Sequence, residues 1–322
     1  MISDYIFIGT PDFAAIILEK LCQIEYQPIL VITEPDKPVG RKQILTPPPV
    51  KTIAQKYNLP VLQTDKIENC KLKIENLNPS LIIVAAYGQI LPKEILEIPK
   101  YGCLNVHPSL LPSYRGPSPI QAAILNGDEF TGVTLILMTE KMDAGAILTS
   151  QKLKIKKAPP GSRQRRQQNY PELSDELAYL GADLLFETIP KWLKGEIKPV
   201  PQDETRTTYT KIIKKEDGLI DFKKTAQEIE RQVRAFYPWP SAYTKIPDKN
   251  KGNKILKILE AEVLGTGQNK KIGLFFQKEK EPAVACSKDI LILKKVQLEG
   301  KKSVAGRDFL NGHRDLIGKI LV

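Results

Sequence analysis

Histidine and cysteine are scarce in this chain of 322 residues: two of the first, four of the second. Cys22, Cys70, Cys103 and Cys286 are scattered, with no C-x-x-C pair. That excludes a zinc ribbon and a disulfide framework, and leaves reduced core or surface thiols. No apolar run approaches the ~20 residues that span a bilayer. The opening MISDYIFIGT lacks the basic start of a signal peptide. The expectation is therefore a cytoplasmic protein with no membrane contact and no metal. There is no G-x-G-x-x-G: the first apolar run, YIFIG, carries one glycine, so the dinucleotide fingerprint is missing. No internal repeat is present.

What is there in excess is positive charge, and it is uneven. The chain carries +11, and residues 208–322 hold 24 Lys and Arg against 14 Asp and Glu, or +10 of it. A basic region joined to a near-neutral one suits a polyanionic partner, though a solvated basic surface has the same composition.

Along the chain, apolar runs alternate with amphipathic stretches. Tyr5–Gly9 reads as a buried strand, and Phe13–Ile24 as a helix capped by Asp12. QPILVIT at 27–33 is a second strand, and Ser80–Ala86 a third, buried on both faces. Helices are expected at 50–58, 93–98, 119–126, 173–192 and 225–236, and further strands at 60–62, 132–138 and 146–155. Residues 34–49, EPDKPVGRKQILTPPP, read as a long loop without regular structure, and such loops are usually functional or mobile. Lys37, Arg41 and Lys42 cluster in it. Residues 152–166 carry seven basic residues and no acidic one and read as a solvated loop. Beyond 240, short apolar runs separated by Gly, Asn and Lys suggest a small β-barrel. The fold class that follows is α/β: a Rossmann-like, mostly parallel sheet with helices on both faces, then a small OB-like barrel. Length agrees with two domains, 1–194 and 208–322, joined by a polar, proline-bearing linker at 195–207.

The most informative stretch is CLNVHPSLLPSYRGPSP, Cys103 to Pro119. Its first five residues read as a strand, on which Asn105 and His107 point to the same face. An amide and an imidazole thus emerge side by side at a strand end, where ligands bind in open α/β sheets. A lone histidine on an apolar strand is ordinarily a satisfied core residue. Here it shares a face with Asn just before an irregular loop, which favours chemistry.

These residues, with SLLPSYRG at 109–116, resemble the signature of the 10-formyltetrahydrofolate-dependent formyltransferases. Asp143 in KMDAG matches the third member of that family's catalytic set. GTPDFAA at 9–15, PDKPVGR at 35–41, AYGQILP at 86–92, PQDE at 201–204, KEDGLIDF at 215–222 and VRAFYPWP at 233–240 narrow the resemblance to the branch whose acceptor is methionyl-initiator tRNA. Ala146 departs from it, standing where an acidic residue is frequent, and so does PGSRQRRQQNY at 160–170. The resemblance makes residues 1–194 a catalytic domain and residues 208–322 a tRNA-binding domain. It implies 10-formyltetrahydrofolate as co-substrate, held by Gln89, Ile90, Leu91, Pro92, Ser109, Leu110, Leu111 and Pro112, and it implies no metal. It implies tRNA contacts at Lys37, Arg41 and Lys42, with Arg41 on the acceptor end. Further contacts are expected at Lys211, Lys214, Lys215, Lys249, Lys251, Lys254, Lys301 and Lys302, in a protein that works as a monomer. Arg115 could anchor a substrate phosphate or pin its own loop. SLLPSYRG alone would equally suit an enzyme acting on a nucleotide-sugar amine or on glycinamide ribonucleotide, and a silent RNA-binding protein is the alternative of another class.

Formyl transfer asks for three groups. Asn105 suits the developing oxyanion as an uncharged donor. His107 can exchange the proton that the amine loses and the leaving nitrogen gains. A carboxylate at Asp143 would orient the imidazole and order a relay water.

Overall fold

The computed structural model describes residues 4–40, 42–156, 167–248, 252–265 and 270–321. The chain divides into two compact units, neither of them one continuous stretch. The first takes residues 1–119, 130–154 and 174–211, and the second takes 120–129, 155–173 and 212–322. Residues 195–207, expected as a linker, are thus counted with the first unit.

In chain order the first half contains β1 (Tyr5–Gly9), α1 (Asp12–Gln23), β2 (Leu30–Thr33), β3 (Lys37–Val39), β4 (Ile44–Thr46), α2 (Pro49–Lys56), β5 (Val61–Gln63), α3 (Lys71–Leu77), β6 (Leu81–Ala85), α4 (Lys93–Leu96) and β7 (Cys103–His107). Then come α5 (Pro119–Asn126), β8 (Phe130–Leu137), β9 (Ile147–Lys154) and α6 (Tyr170–Leu193). Seven strands form one sheet in the order β5-β2-β1-β6-β7-β8-β9. β5 through β7 run parallel; β8 and β9 turn back antiparallel at the edge. The parallel strands β1, β2 and β6 are buried throughout, which is why LVIT and LIIVA read as unbroken apolar runs. Ile6, Ile8, Ile32 and Ile82 share a core with Ile67, Ile74 and Ile95. Within the first unit, Gly181 of α6 lies so close to Val106 that a Cβ there would come 2.7 Å from its methyl group.

Two expectations are corrected here. Residues 34–49 are not structureless: β3 and β4 pair as a short antiparallel hairpin, Lys37 opposite Thr46. Three-residue strands exposed on both faces have no alternation to betray them. Asp12 does not cap α1. It is the first helical residue, after Pro11, and makes no capping bond. Its charge still sits favourably at the positive end of the helix dipole.

The second unit adds α7 (Ala226–Ala235), β10 (Ala242–Asp248), β11 (Gly252–Leu264), β12 (Phe275–Lys278), β13 (Glu281–Ala285), β14 (Ile290–Leu298), β15 (Val304–Ala305) and α8 (Gly306–Gly312). Its sheet is antiparallel, β10-β11-β14-β13-β12, with β15 on β14. β10 and β12 remain its two edges, so it is an open half-barrel. β11 runs thirteen residues, and its register with β14 slips around Glu260, the bulge that lets so long a strand bend. Thr225 and Glu228 close a capping box at the start of α7. Ile229 and Val233 then pack with Leu291, Leu293, Phe309 and Leu310 in one core. Among the described residues no helix is long and apolar enough to cross a membrane, and no group of three His, Cys, Asp or Glu is set to hold a metal ion.

Candidate active site

β7 carries Asn105 opposite Val84 of β6 and Ile136 of β8. His107, two residues on, is 4% exposed. The turn after β8 returns toward β9 through Asp143, whose backbone stands in the left-handed region at φ 50°. Its carboxylate meets the strand. Oδ1 accepts a hydrogen bond from Asn105 Nδ2 at 3.2 Å and faces His107 Nδ1 at 3.6 Å. Oδ2 accepts from the Gly116 N–H at 2.8 Å. The three residues expected to act together therefore do converge, and the loop after β7 joins them through a backbone donor.

The far side of the imidazole fixes its protonation pattern. His107 Nε2 is 3.0 Å from the Tyr114 carbonyl oxygen. A carbonyl only accepts, so Nε2 carries its hydrogen and Nδ1 is the position that gains or loses a proton, directed at the carboxylate. A proton there turns the contact into a charge-assisted pair.

The loop 108–116 is held in shape by its own polar groups. Ser109 donates its hydroxyl to the Ser113 carbonyl at 2.6 Å. Thr134 of β8 donates to the Ser109 carbonyl at 2.7 Å and accepts from the Leu111 N–H at 3.1 Å. The Leu111–Pro112 peptide is cis. Gly116 has φ 107°, and a Cβ there would come 2.9 Å from the Thr210 carbonyl oxygen, so only glycine fits.

Arg115 is 1% exposed, the largest fully buried side chain described. Its Nε and one terminal nitrogen donate to Gln202 Oε1 at 3.0 and 2.8 Å. Both terminal nitrogens reach the Glu204 carboxylate, at 2.8 and 3.1 Å, and one reaches the Tyr209 hydroxyl at 3.4 Å. The guanidinium holds the Glu204 carboxyl below its ordinary range. Of the two readings open for Arg115, these partners select the loop pin: it ties 112–116 to the PQDE segment. Gln202 completes the tie. Its Nε2 donates to the carbonyl oxygens of Asp143 and Gly145, each at 2.7 Å.

The expected folate segments lie on the same strand ends. Gln89 follows β6 and spans two backbone groups: Nε2 donates to the Asp65 carbonyl and Oε1 accepts from the Ile67 N–H. Ile90 is exposed, whereas Leu91 is buried and belongs to the core. Pro92 precedes α4 and is half-buried. Leu111 is buried, Leu110 and Pro112 half-buried. Three hydroxyls nearby in the sheet, Thr10 after β1, Thr33 ending β2 and Tyr87 after β6, are enclosed without a hydrogen-bond partner.

Of the basic residues, Lys37 is paired with Glu34 at 2.8 Å and Lys42 is exposed; both belong to the hairpin region. Asp36 roots that hairpin, accepting from Lys51 Nζ at 2.8 and 2.9 Å and from Gln63 Nε2 at 2.8 Å. Val39, Ile44 and Leu45 on it are more than half exposed. Lys211, Lys214, Lys215, Lys301 and Lys302 are exposed, and Lys254 of β11 is half-buried. Arg41, Lys249, Lys251 and most of the unusual 160–170 stretch lie outside the described residues.

Tyr114 and Gln202 lie inside quoted motifs, SLLPSYRG and PQDE, but nothing in the residue pattern gave either of them, or Thr134, a role. A backbone carbonyl leaves no trace in a side-chain pattern, and Thr134 reads as an ordinary strand residue. PQDE is visible as a motif, and only that could have drawn attention to Gln202.

The N-terminal "Formyl transferase" family matches residues 4–167, and "Formyl transferase, C-terminal domain" matches residues 212–314. The chain is 40% identical, over 98% of its own length and 99% of the other, to a methionyl-tRNA formyltransferase of Staphylococcus aureus strain MW2, and equally so to that of strain JH1. Among solved structures, HypX from Aquifex aeolicus in complex with tetrahydrofolic acid superposes with a TM-score of 0.64 at 16% identity. That match covers 96% of this chain and 47% of HypX, so the chain spans about half of that protein. An N-formyltransferase from Helicobacter canadensis, complexed with folinic acid and dTDP-3-aminofucose, superposes with a TM-score of 0.63 at 20% identity, covering 90% of this chain and 98% of that one.

Proposed function

This chain belongs to the formyl transferase family, and with that as premise we propose that it formylates the α-amino group of methionyl-initiator tRNA, taking the formyl group from 10-formyltetrahydrofolate. Two observations support the acceptor: full-length likeness to methionyl-tRNA formyltransferases, and a basic C-terminal third of net +10. The observation that carries the chemistry is the convergence of Asn105, His107 and Asp143 at the end of β7.

The reaction forms a bond from the amine nitrogen to the formyl carbon and breaks the bond from that carbon to N10. One proton leaves the amine and one arrives at N10. In the tetrahedral intermediate the formyl oxygen carries negative charge. Asn105 Nδ2 stabilises it as a preorganised neutral donor. His107 exchanges the proton through Nδ1, because Nε2–H is committed to the Tyr114 carbonyl. Asp143 faces both the ring and the Asn105 amide through a single oxygen, Oδ1. Gln89 to Pro92 and Ser109 to Pro112 supply the walls and backbone groups for the folate, with the Ser109 hydroxyl bracing its own loop.

The catalytic domain is residues 1–194 and the tRNA-binding domain 208–322, with 195–207 between them in sequence and built against the active-site turn. Arg41 and Lys42 contact the acceptor end, with Lys37 beside them, and the lysines at 211, 214, 215, 249, 251, 254, 301 and 302 hold the tRNA body. The protein works as a monomer where initiator tRNA is charged, in a bacterial cytosol or an organelle matrix. The test offers the full chain 10-formyltetrahydrofolate with charged initiator tRNA, with a nucleotide-sugar amine and with glycinamide ribonucleotide. Formylation of the tRNA is expected; formylation of only a small amine overturns the assignment.

A further inference from the structure

Asp143 is held more firmly than its own side-chain contacts require. A non-glycine residue in the left-handed region is disfavoured and persists where its surroundings over-determine it. Asp143 stands there at φ 50°. The turn is also sterically closed: a Cβ on Gly145 would overlap the Leu137 carbonyl oxygen. What fixes the two carbonyls of this turn is one side chain from a segment 59 residues away. Gln202 Nε2 uses both its hydrogens, one on the Asp143 carbonyl and one on the Gly145 carbonyl. Its Oε1 is occupied by two N–H groups of Arg115, whose other donors are directed at Glu204 and Tyr209. The amide cannot rotate without breaking four hydrogen bonds at once. The segment is seated as well by Ile147, which exchanges both backbone bonds with Val200 at 2.8 Å.

We infer that Gln202 is a positioning residue for Asp143: its amide sets the turn that aims the carboxylate at His107 and Asn105, and Arg115 sets Gln202. The inference rests on the formyl-transfer reading and adds to it a residue that touches neither substrate. Chemistry selects Gln at this place. Two carbonyls need two donors from one group, and Arg115 needs an acceptor on the same group; a carboxylate would meet the carbonyls with like-signed oxygens, and an alkyl chain would leave all four partners unsatisfied. Arg115 in turn belongs to the loop whose Tyr114 carbonyl holds His107 Nε2 and whose Gly116 N–H holds Asp143 Oδ2. The Glu204–Arg115–Gln202 chain therefore locks both neighbours of the imidazole at once.

The test is a cycle on the full-length protein, with formylation of charged initiator tRNA followed in single turnovers. Gln202→Ala and Gln202→Met are each made alone and on an Asp143→Asn background, with unfolding temperature and folate affinity measured alongside. Alone, each is expected to lower turnover by about 10–100-fold, the scale of a misplaced reacting group, with KM for tRNA and folate affinity within about threefold of the parent. On the Asp143→Asn background the same change is expected to lower turnover by less than about twofold, because residues acting through one group are not additive. Gln202→Glu, which keeps the size and removes both donors, is expected to fail as Gln202→Ala does. A full additional loss on the Asp143→Asn background, a loss carried by KM alone, or normal turnover in folded Gln202→Met each overturns the inference. Absence of tRNA formylation by the parent protein would instead count against the reading on which it rests.

Discussion

Asn105 and His107 differ in how they are tied, and that difference predicts how each fails. Among the described residues the Asn105 side chain makes one hydrogen bond, to Asp143, and is half-buried, so its other amide hydrogen is available to a ligand. Asn105→Ala should fold normally and lower turnover by about 10²–10³, the loss typical of one oxyanion donor. Near-normal turnover in that variant would remove Asn105 from the chemistry. His107 is enclosed between a carbonyl and a carboxylate. His107→Asn should abolish turnover while retaining folate affinity, measured by fluorescence titration. Gly145 gives a prediction on stability: Gly145→Ala forces the turn off the Leu137 carbonyl and should cost about 1–3 kcal/mol by denaturant unfolding. A loss much smaller than this would mean that the turn relaxes freely. At this scale Asn105 and His107 were legible because a strand alternates with period two, whereas Asp143 looked like any turn aspartate and was found through resemblance alone. Arg115 and Gln202 stand 87 residues apart, and no local pattern reports such a pair.

The hairpin of β3 and β4 shows what a pattern of elements leaves out. Its strands carry no buried face, so the rule that finds strands had nothing to act on, yet its root, Asp36, accepts three hydrogen bonds. Lys51 and then Gln63 hold the Asp36 carboxyl below its ordinary value of 3.8. A depressed carboxyl stabilises the fold above its unfolded value, and that contribution is lost as pH falls through the lower, folded one. Between about pH 6 and 9 the root is therefore expected to be constant. Asp36→Asn should raise KM for tRNA several-fold across that range, without changing the shape of the pH profile or the folate affinity. A changed profile, or an equal loss for folate, would show that Asp36 serves the chemical step. The central parallel strands were legible because burial on both faces writes unbroken apolar runs. The reversal of β8 was not: a residue alternation reads the same in either direction, and only pairing with β7 settles it.

For the molecule as a whole, the distribution of charge sets the expectation. The excess lies beyond residue 207, and several of its lysines are exposed. If they bind phosphates, tRNA affinity falls with salt at a log–log slope of roughly −0.7 to −0.9 per phosphate neutralised. Lys301→Ala with Lys302→Ala, measured in the full chain, should reduce that slope by about one unit for each phosphate no longer neutralised, and weaken initiator and elongator tRNAs alike. An unchanged slope for these and for Lys214→Ala with Lys215→Ala would leave the basic surface a solubility feature. A truncation after residue 195 is unsuitable for this comparison, because it removes Gln202 and Glu204 along with the basic region and so disturbs the active-site turn.

The tie between Gln202 and Asp143 also sets an order of events during synthesis. The ribosome delivers residues at about 5–20 per second, N-terminus first. Asn105, His107 and Asp143 leave it well before the amide that seats their turn, 59 residues behind. A nascent chain that has exposed these three side chains still lacks the amide that holds the turn of Asp143. The turn can be completed only once PQDE has been made, when the last strands of the second unit are still to come. Until Gln202 emerges, the Asp143 and Gly145 carbonyls of that turn lack the two donors that close it in the folded chain.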